Sequence, residues 1–599
     1  MEKKSIIIVV ISFILLVLWF PLTNYFWPPT PAPHRTNQVA SVTNVTATPT
    51  QTVATVTNQP TIAPSVPTTL VAANAPEELV EVETDEARFI FTSHGGGLKT
   101  VELKRYPALI TCNDKGVTPT NRVNLNIGTV VPVMAVLGSE AVLGDGLFQL
   151  TRDGQNVRAV KTLTNGLRIT QEFAVSSNYV VNAKWRVENQ SAQPVALPAQ
   201  AVAIGTGSIL GARDDPMTVG TYWYNGEKKQ SVDEPWFQNT GFGCACFRLP
   251  SAPRTDYEAG IGNVVWADIH SQFFTIITVP KERAEKIHVK RVQLPARTND
   301  THSTTPPFGL QASLIYPSTL LAQTQAVERE FVIYAGPKEY KRLARLSTRL
   351  KTNIDTVMDY EGFFGWFAQM LLSSMNGLHN TGLNYAMAII AITIIIKLLF
   401  WPLTNASTKS MKRMAALQPQ MKAIQEKHKD NPQKMNREIM EFMKKNRVSP
   451  LGGCLPMLLQ IPVFFGFFKM IRSAIELRGE QFLWACDLSK PDTIFVIPGF
   501  NIPVNPLPLI MGATMLWQAR LTPPSPGMDP VQQKIMKYMP LMFLFILYNF
   551  SAGLTLYWTV QNLLTIAQMK LTKAKDEPGT GAGAAPGKAL PPSQPKKRK

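Results

Sequence analysis

The chain has 599 residues, too many for one small binding module and enough for several domains at roughly 150 residues each. Lysine and arginine number 60 against 42 acids, a formal charge of +18, yet only 17% of residues are charged, below the roughly 25% of an ordinary soluble domain. Long apolar blocks dilute the charge; with 45% apolar residues they point to a membrane protein and exclude gross disorder. The five cysteines, Cys112, Cys244, Cys246, Cys454 and Cys486, lack paired zinc-ligand spacing and are too few for a disulfide-built scaffold. They read either as small buried thiols or as a bridge from Cys112 to Cys244 or Cys246.

Lys3 and Lys4 precede an almost wholly apolar run over residues 6–27. The run is long enough to span, and Pro28-Pro29 follows it in place of an Ala-x-Ala-like site. This predicts an uncleaved anchor with residues 1–5 in the cytoplasm. Residues 28–75 are rich in Pro and Thr, with Arg35 their one charged residue, and read as a disordered tether. Over residues 76–345 apolar and polar residues alternate in short runs, as in Ala87-Arg88-Phe89-Ile90-Phe91 and Phe331-Val332-Ile333-Tyr334. Gly95-Gly96-Gly97, Asp153-Gly154, Asn165-Gly166 and Asn225-Gly226 punctuate them. Many short strands with such turns predict a large all-β sandwich, periplasmic because it follows an anchor whose start is cytoplasmic.

Residues 341–356 are basic and helical in texture. Phe363, Phe364, Trp366, Phe367, Met370, Leu371 and Leu372 then form an apolar cluster ended by Gly377. Residues 358–376 therefore read as an amphipathic helix in the membrane interface, or as one packed on the sandwich. Apolar blocks at 382–403, 451–472, 502–520, 535–550 and 553–570 complete six transmembrane helices with the anchor. Loops 404–449 and 521–534 and the tail 571–599 are cytoplasmic in this topology. The first carries Lys409, Lys412, Arg413 and eight further bases, and the tail ends in Lys596-Lys597-Arg598-Lys599. Loop 473–501, where Arg478 and Lys490 face Glu476, Glu480, Asp487 and Asp492, is external. Both termini then lie inside.

The cytoplasmic loop has helical character over 405–429 and 433–446, broken at Asp430-Asn431-Pro432, which predicts a helical hairpin. Met411, Met414, Met421, Met435, Met440 and Met443 recur along it. They form an adaptable surface for receiving hydrophobic segments, or they pack the two helices together. No HExxH, GxSxG, P-loop or pair of membrane acids is present, so no enzyme site, cofactor or metal is expected. His94, His270, His288 and His302 are scattered through the sandwich. Lys397 sits within Ile394-Ile395-Ile396-Lys397-Leu398-Leu399, where a charge costs about 2.5–3.5 kcal/mol and marks a functional candidate. Thr393, four residues earlier, shares its helix face. Snorkelling toward a nearby cytoplasmic interface is the other reading. Gln460, Tyr557-Trp558 and Gln561-Asn562 are further polar or aromatic residues within the spans.

The stretch Ser449-Pro450-Leu451-Gly452-Gly453-Cys454-Leu455-Pro456-Met457-Leu458-Leu459-Gln460-Ile461-Pro462 resembles a span of the YidC/Oxa/Alb family of membrane-protein insertases. Trp401-Pro402-Leu403-Thr404, Leu417-Gln418-Pro419, Asp529-Pro530-Val531-Gln532-Gln533-Lys534 and Gly553-Leu554-Thr555-Leu556-Tyr557-Trp558 are similar to it too. Together the motifs cover most of residues 360–571, and the anchor, tether and external domain resemble the Gram-negative form. The sandwich matches mainly around residues 92–107. The resemblance implies a five-helix core around a hydrophilic groove open to cytoplasm and lipid but closed outside. Its central charge is usually an arginine; Lys397 keeps the charge without the guanidinium fork. Thr393, Gln460, Tyr557 and Trp558 match groove-lining or substrate-contacting positions. The external sandwich of such proteins resembles sugar-mutarotase folds.

The sequence thus predicts a polytopic α-helical membrane protein with an all-β periplasmic sandwich. Its expected activity is insertion of nascent hydrophobic segments into the inner membrane without ATP or a covalent step, alone or with the Sec translocon. Expected partners are nascent membrane-protein clients, the ribosome through the basic tail, the Sec translocon and membrane lipid. Two rivals stand beside it: a secondary transporter with Lys397 as an anion site, disfavoured by the lack of inverted repeats, and a sugar-active external domain merely anchored by helices.

Overall fold

The computed structural model of the chain describes residues 70–572, apart from 72, 111, 113–120, 139–142, 211–213, 239–251, 296–306, 447–454, 501 and 523–529. The anchor, nearly all of the tether, His302, Cys244, Cys246, Cys454 and the tail beyond residue 572 lie outside the described residues. Two compact units are present. The first comprises Met1–Ile392, Pro462–Leu507 and Tyr548–Leu556, the second Thr393–Ile461, Pro508–Leu547 and Tyr557–Lys599.

The first unit is built on strands whose side chains alternate inward and outward. Along Asn156–Thr162 buried and exposed positions alternate, and along Val180–Asn189 they do so again, as a pleat with one face on a core requires. The strands form antiparallel sheets of four, five and nine strands. In the nine-stranded sheet Phe274–Pro280 lies between Trp266–His270 and Ala326–Pro337 and is buried on both faces. The five-stranded sheet packs on it through Gln200–Ser208 and Phe308–Tyr316. Trp185, Trp266, Phe173, Ile276, Leu314 and Val289 belong to one continuous core. Close approach of the sheets explains two glycines. Gly205 sits at a register shift with φ +131°, and a Cβ at Gly207 would come within 2.8 Å of Ile269. The sequence turn signals are turns: Gly95, Gly154, Gly166 and Gly226 all hold positive φ between paired strands.

Ten helices follow among the described residues: α1 (Tyr340–Leu350), α2 (Gly362–Asn380), α3 (Tyr385–Leu399), α4 (Trp401–Ala416), α5 (Gln418–Lys427), α6 (Pro432–Lys445), α7 (Leu455–Ser473), α8 (Pro506–Leu521), α9 (Pro530–Leu547) and α10 (Ala552–Leu571). Among the described residues no single helix is long and apolar enough to cross a membrane. The pair α3 and α4, bent by 65° at its break, passes the same test jointly.

Four local expectations change. The block read as one span over 382–403 breaks at Phe400, because Pro402 cannot donate to the turn before it and instead starts α4. The first cytoplasmic helix is likewise divided at Leu417, ahead of Pro419. Helix α2 runs through Gly377, whose Cβ position meets open space, and stops before Gly382 at φ +99°. The block read as a helix from residue 502 starts as a strand. Ile502–Val504 pairs with Phe495–Ile497, and α8 begins at Pro506.

Cysteine pairing also differs from expectation: Cys112 is bonded to Cys486, across a sequence separation of 374. This link belongs to a wider seam inside the first unit. The Arg478 guanidinium donates to the Pro107 carbonyl at 2.7 Å, and Lys490 meets Asp214 at 2.6 Å. Asp359 accepts from Lys229 at 3.2 Å and from Lys469 of α7 at 3.1 Å. Burial pushes the Asp359 carboxyl up, but the two ammonium groups more than offset it and hold its pKa below the ordinary value. On α2, Phe364 packs on Phe465 at 5.3 Å and Phe367 fills the space beside Gly466, while Phe363, Trp366 and Met370 stay exposed.

Candidate functional site

The site is built on one face of α10. Tyr557, Gln561 and Thr565 recur at i+4, so their side chains stack along the helix, and Gln568 and Thr572 continue the polar stripe one turn on. Each finds a polar partner within the second unit. Tyr557 is buried and its hydroxyl accepts from Gln460 Nε2 of α7 at 3.0 Å. Gln460 Oε1 in turn accepts from Gln561 Nε2 at 2.8 Å. The Gln561 carbonyl takes the Thr565 hydroxyl at 2.8 Å, and Thr565 Oγ1 accepts from Lys397 Nζ at 2.9 Å. Lys397, Thr565, Gln561, Gln460 and Tyr557 therefore form one connected chain over α3, α7 and α10. A buried polar group costs free energy unless hydrogen-bonded, so a connected chain is the form in which such residues persist between apolar helices.

Lys397 is 7% exposed. Among the described residues it makes no ion pair, and its partner is a neutral hydroxyl. Thr393, one turn earlier, is buried beside it on the same helix. Two further links lie nearby in the sequence of α10: Asn562 donates to Thr514 of α8 at 3.1 Å, and Gln568 to Thr404 of α4 at 2.7 Å. Trp558 points elsewhere, as the residue after Tyr557 on a helix must, and packs at 5.9 Å on Phe543 of α9. The structure thus joins Lys397, Gln460 and Tyr557, sets Thr393 beside Lys397, and packs Trp558 on Phe543. Thr565 and Gln568 escaped sequence reasoning. The i+4 polar stripe on an otherwise apolar helix was the available signal.

The six methionines divide. Met414, Met421 and Met443 are buried with Ile439 in a small core between α4, α5 and α6, and Met435 packs against it. Met411 is half-buried, and Met440 is 60% exposed. His428 pairs with Glu438 across the same hairpin at 3.2 Å.

The sandwich histidines hold structural partners. His94 Nε2 lies 2.9 Å from the Ala75 carbonyl, and His288 Nε2 lies 3.1 Å from Asp256. His270 Nδ1 donates to Asp268 at 3.0 Å. The same buried carboxylate accepts from the Thr275 hydroxyl at 2.9 Å and the Tyr222 amide at 2.5 Å. Burial outweighs Asp268 and holds the His270 imidazole below its ordinary pKa. Among the described residues no cluster of His, Cys, Asp and Glu could hold a metal ion.

Residues 79–374 match the family described as YidC periplasmic domain, and residues 377–578 that described as 60Kd inner membrane protein. The membrane protein insertase YidC of Citrifermentans bemidjiense is 33% identical over 501 residues, covering 83% of this chain and 85% of that protein. Its namesake from Maridesulfovibrio salexigens is 31% identical over 593 residues, covering 95% and 98%. A crystal structure of an active YidC insertase with its first transmembrane domain resolved covers 85% of this chain and 95% of its own. At 17% identity and a TM-score of 0.33 that likeness is too distant to bear on the argument. The sequence matches make this an inner-membrane protein with a periplasmic β-domain. It belongs to the YidC family of membrane protein insertases.

Proposed function

We propose that the chain receives hydrophobic segments of nascent membrane proteins in a hydrophilic groove open to the cytoplasm and releases them sideways into lipid. The observation that carries this reading is the connected polar chain ending in Lys397, a cation whose charge no carboxylate neutralises among the described residues. A client span of about 20 residues gains roughly 6–12 kcal/mol on entering lipid, at about 0.3–0.6 kcal/mol per apolar residue. The obstacle is kinetic, because a polar flank must first cross hydrocarbon. A wet path lined by Lys397, Thr393, Gln460 and Tyr557 shortens the dry distance, and the uncancelled charge draws an acidic flank into it.

The remaining parts have places in this scheme. Six spans put both termini in the cytoplasm and the sandwich in the periplasm. The exposed aromatic side chains of α2 lie in the outer interface. Trp558, on a neighbouring face, meets the client rather than the polar chain. On the cytoplasmic hairpin Met440 is the most exposed of the six methionines and the first to touch a segment, while Met414, Met421 and Met443 keep the hairpin together. The basic tail binds the ribosome electrostatically, so that contact weakens with salt. The Sec translocon is a second partner for longer clients.

Reconstitution of the purified protein in liposomes with a single-span client bearing an acidic external flank tests the reading. Insertion by wild type, retained by Lys397→Arg and impaired in Lys397→Ala, is expected. Equal insertion by the alanine variant would reduce Lys397 to a snorkelling residue. No insertion above empty liposomes by folded wild type would overturn autonomous insertion.

A further inference from the structure

The segment between α7 and α8 has two halves of opposite character. All its charges lie before Thr493; none occurs between Asp492 and Arg520. The charged half is fastened to the sandwich by the Cys112–Cys486 bond, Arg478 and Lys490. The apolar half is the hairpin of Phe495–Ile497 and Ile502–Val504.

Its base is firmly held. Thr493 donates to Asn505 Oδ1 at 2.7 Å, Asn505 Nδ2 donates to the Tyr548 carbonyl at 2.9 Å, and Tyr548 donates to the Pro503 carbonyl at 2.7 Å. Asp492 accepts from the Leu507 amide at 2.6 Å and from the Trp484 indole at 2.9 Å. Beyond that base the blade is bare. Phe495 and Ile497 point to one face and Val496 to the other, and all three are exposed; Phe500 at the tip is 78% exposed. Gly499, at φ +86°, makes the turn.

A two-stranded hairpin cannot bury its own apolar faces, and in water it is marginal at best. A protein docking on one face would leave the other in solvent. A medium that covers both faces at once is hydrocarbon. Continuity supports the same medium. Only Asn505 separates the blade from Pro506, where α8 begins, and α8 falls within the matched inner-membrane-protein family. We infer that this hairpin dips into the outer leaflet of the bilayer beside α8, with Trp484 at the interface, as a fixed membrane anchor for the seam between sandwich and helices. The inference rests on the proposed topology, in which this loop is periplasmic.

The test uses the full chain in vesicles of phosphatidylethanolamine and phosphatidylglycerol, with Cys244, Cys246 and Cys454 replaced by serine. An environment-sensitive fluorophore is attached in turn to Phe495→Cys, Val496→Cys and Phe500→Cys, with Ile261→Cys on the sandwich as control. Lipid carrying a shallow spin label should cut emission about twofold at all three hairpin positions and leave Ile261→Cys unchanged, as expected for a depth of about 5–10 Å. Unquenched, water-accessible probes would overturn the inference. So would quenching on one face alone, which marks a docked protein. Self-quenching that vanishes on dilution with unlabelled chain would assign the hairpin to a second copy instead. Topology is read separately from Leu483→Cys and Lys445→Cys with an impermeant maleimide. Labelling from the same side breaks the topology itself, whatever the hairpin does.

Discussion

The sandwich and the polar stripe of α10 solve the same problem in opposite ways. Around the sandwich most charges meet an opposite charge: Asp359 meets Lys229 and Lys469, and Arg342 meets Glu86 and Glu339, while Lys338, buried without an ion pair among the described residues, is an exception. Asp268 is saturated by three donors. In the helical unit, amides and hydroxyls pass hydrogen bonds along a line to Lys397, and among the described residues no carboxylate cancels its charge. A buried, unpaired cation costs stability, and one set among apolar helices is by default a functional candidate. In the proposed function this contrast separates the scaffold from the site that meets the client.

Substitutions can break or sharpen this contrast. The largest effect is expected for Asp268→Ala, which leaves the Tyr222 amide, the Thr275 hydroxyl and the His270 ring without an acceptor. It should cost about 3–5 kcal/mol, read as a lower melting temperature of the purified protein, with Asp268→Asn in between. A cost below about 1 kcal/mol would remove that saturated centre from the account. Next is Cys112→Ser, expected to cost about 2–4 kcal/mol. Reductant should reproduce the loss in wild type and add nothing in the variant.

On the helical side the order of effects inverts, with function moving more than stability. Lys397→Ala should lower client insertion about tenfold while the melting temperature holds or rises, because a buried charge is removed. A parallel fall in stability would make Lys397 part of the scaffold. Gln561→Leu severs the chain between Gln460 and Thr565 and should lower insertion only a few-fold.

The smallest effect is on pH dependence. Burial pushes the Lys338 ammonium in the sandwich down to about 8, against 10.5 for the ordinary side chain. Between those values the unfolded chain binds more protons than the folded one, so stability should rise with pH, by at most about 1 kcal/mol per unit. Below pH 8 the full penalty of the buried charge is present, and Lys338→Met should flatten the profile. A profile unchanged by that substitution would assign the rise to other groups.

Much of this was legible before any coordinates. Glycine-bearing turns and a two-residue period announce the strands, since both are local properties of the backbone. Lys397 announces itself because a charge among isoleucines is expensive, and family motifs single out Thr393, Gln460, Tyr557 and Trp558. Prolines 402, 419 and 506 mark helix starts by a local steric rule.

What the chain order conceals is pairing. Cys112 finds Cys486 at a separation of 374, Lys397 finds Thr565 at 168, and Gln460 takes both Tyr557 and Gln561 at 97 and 101. Periodicity shows which face of an element is polar or apolar, but not which distant face it meets. That choice depends on the packing of all the elements at once, and so the tertiary structure alone decided that Trp558 packs on Phe543, that Met414, Met421 and Met443 turn inward, and that an apolar hairpin is left bare.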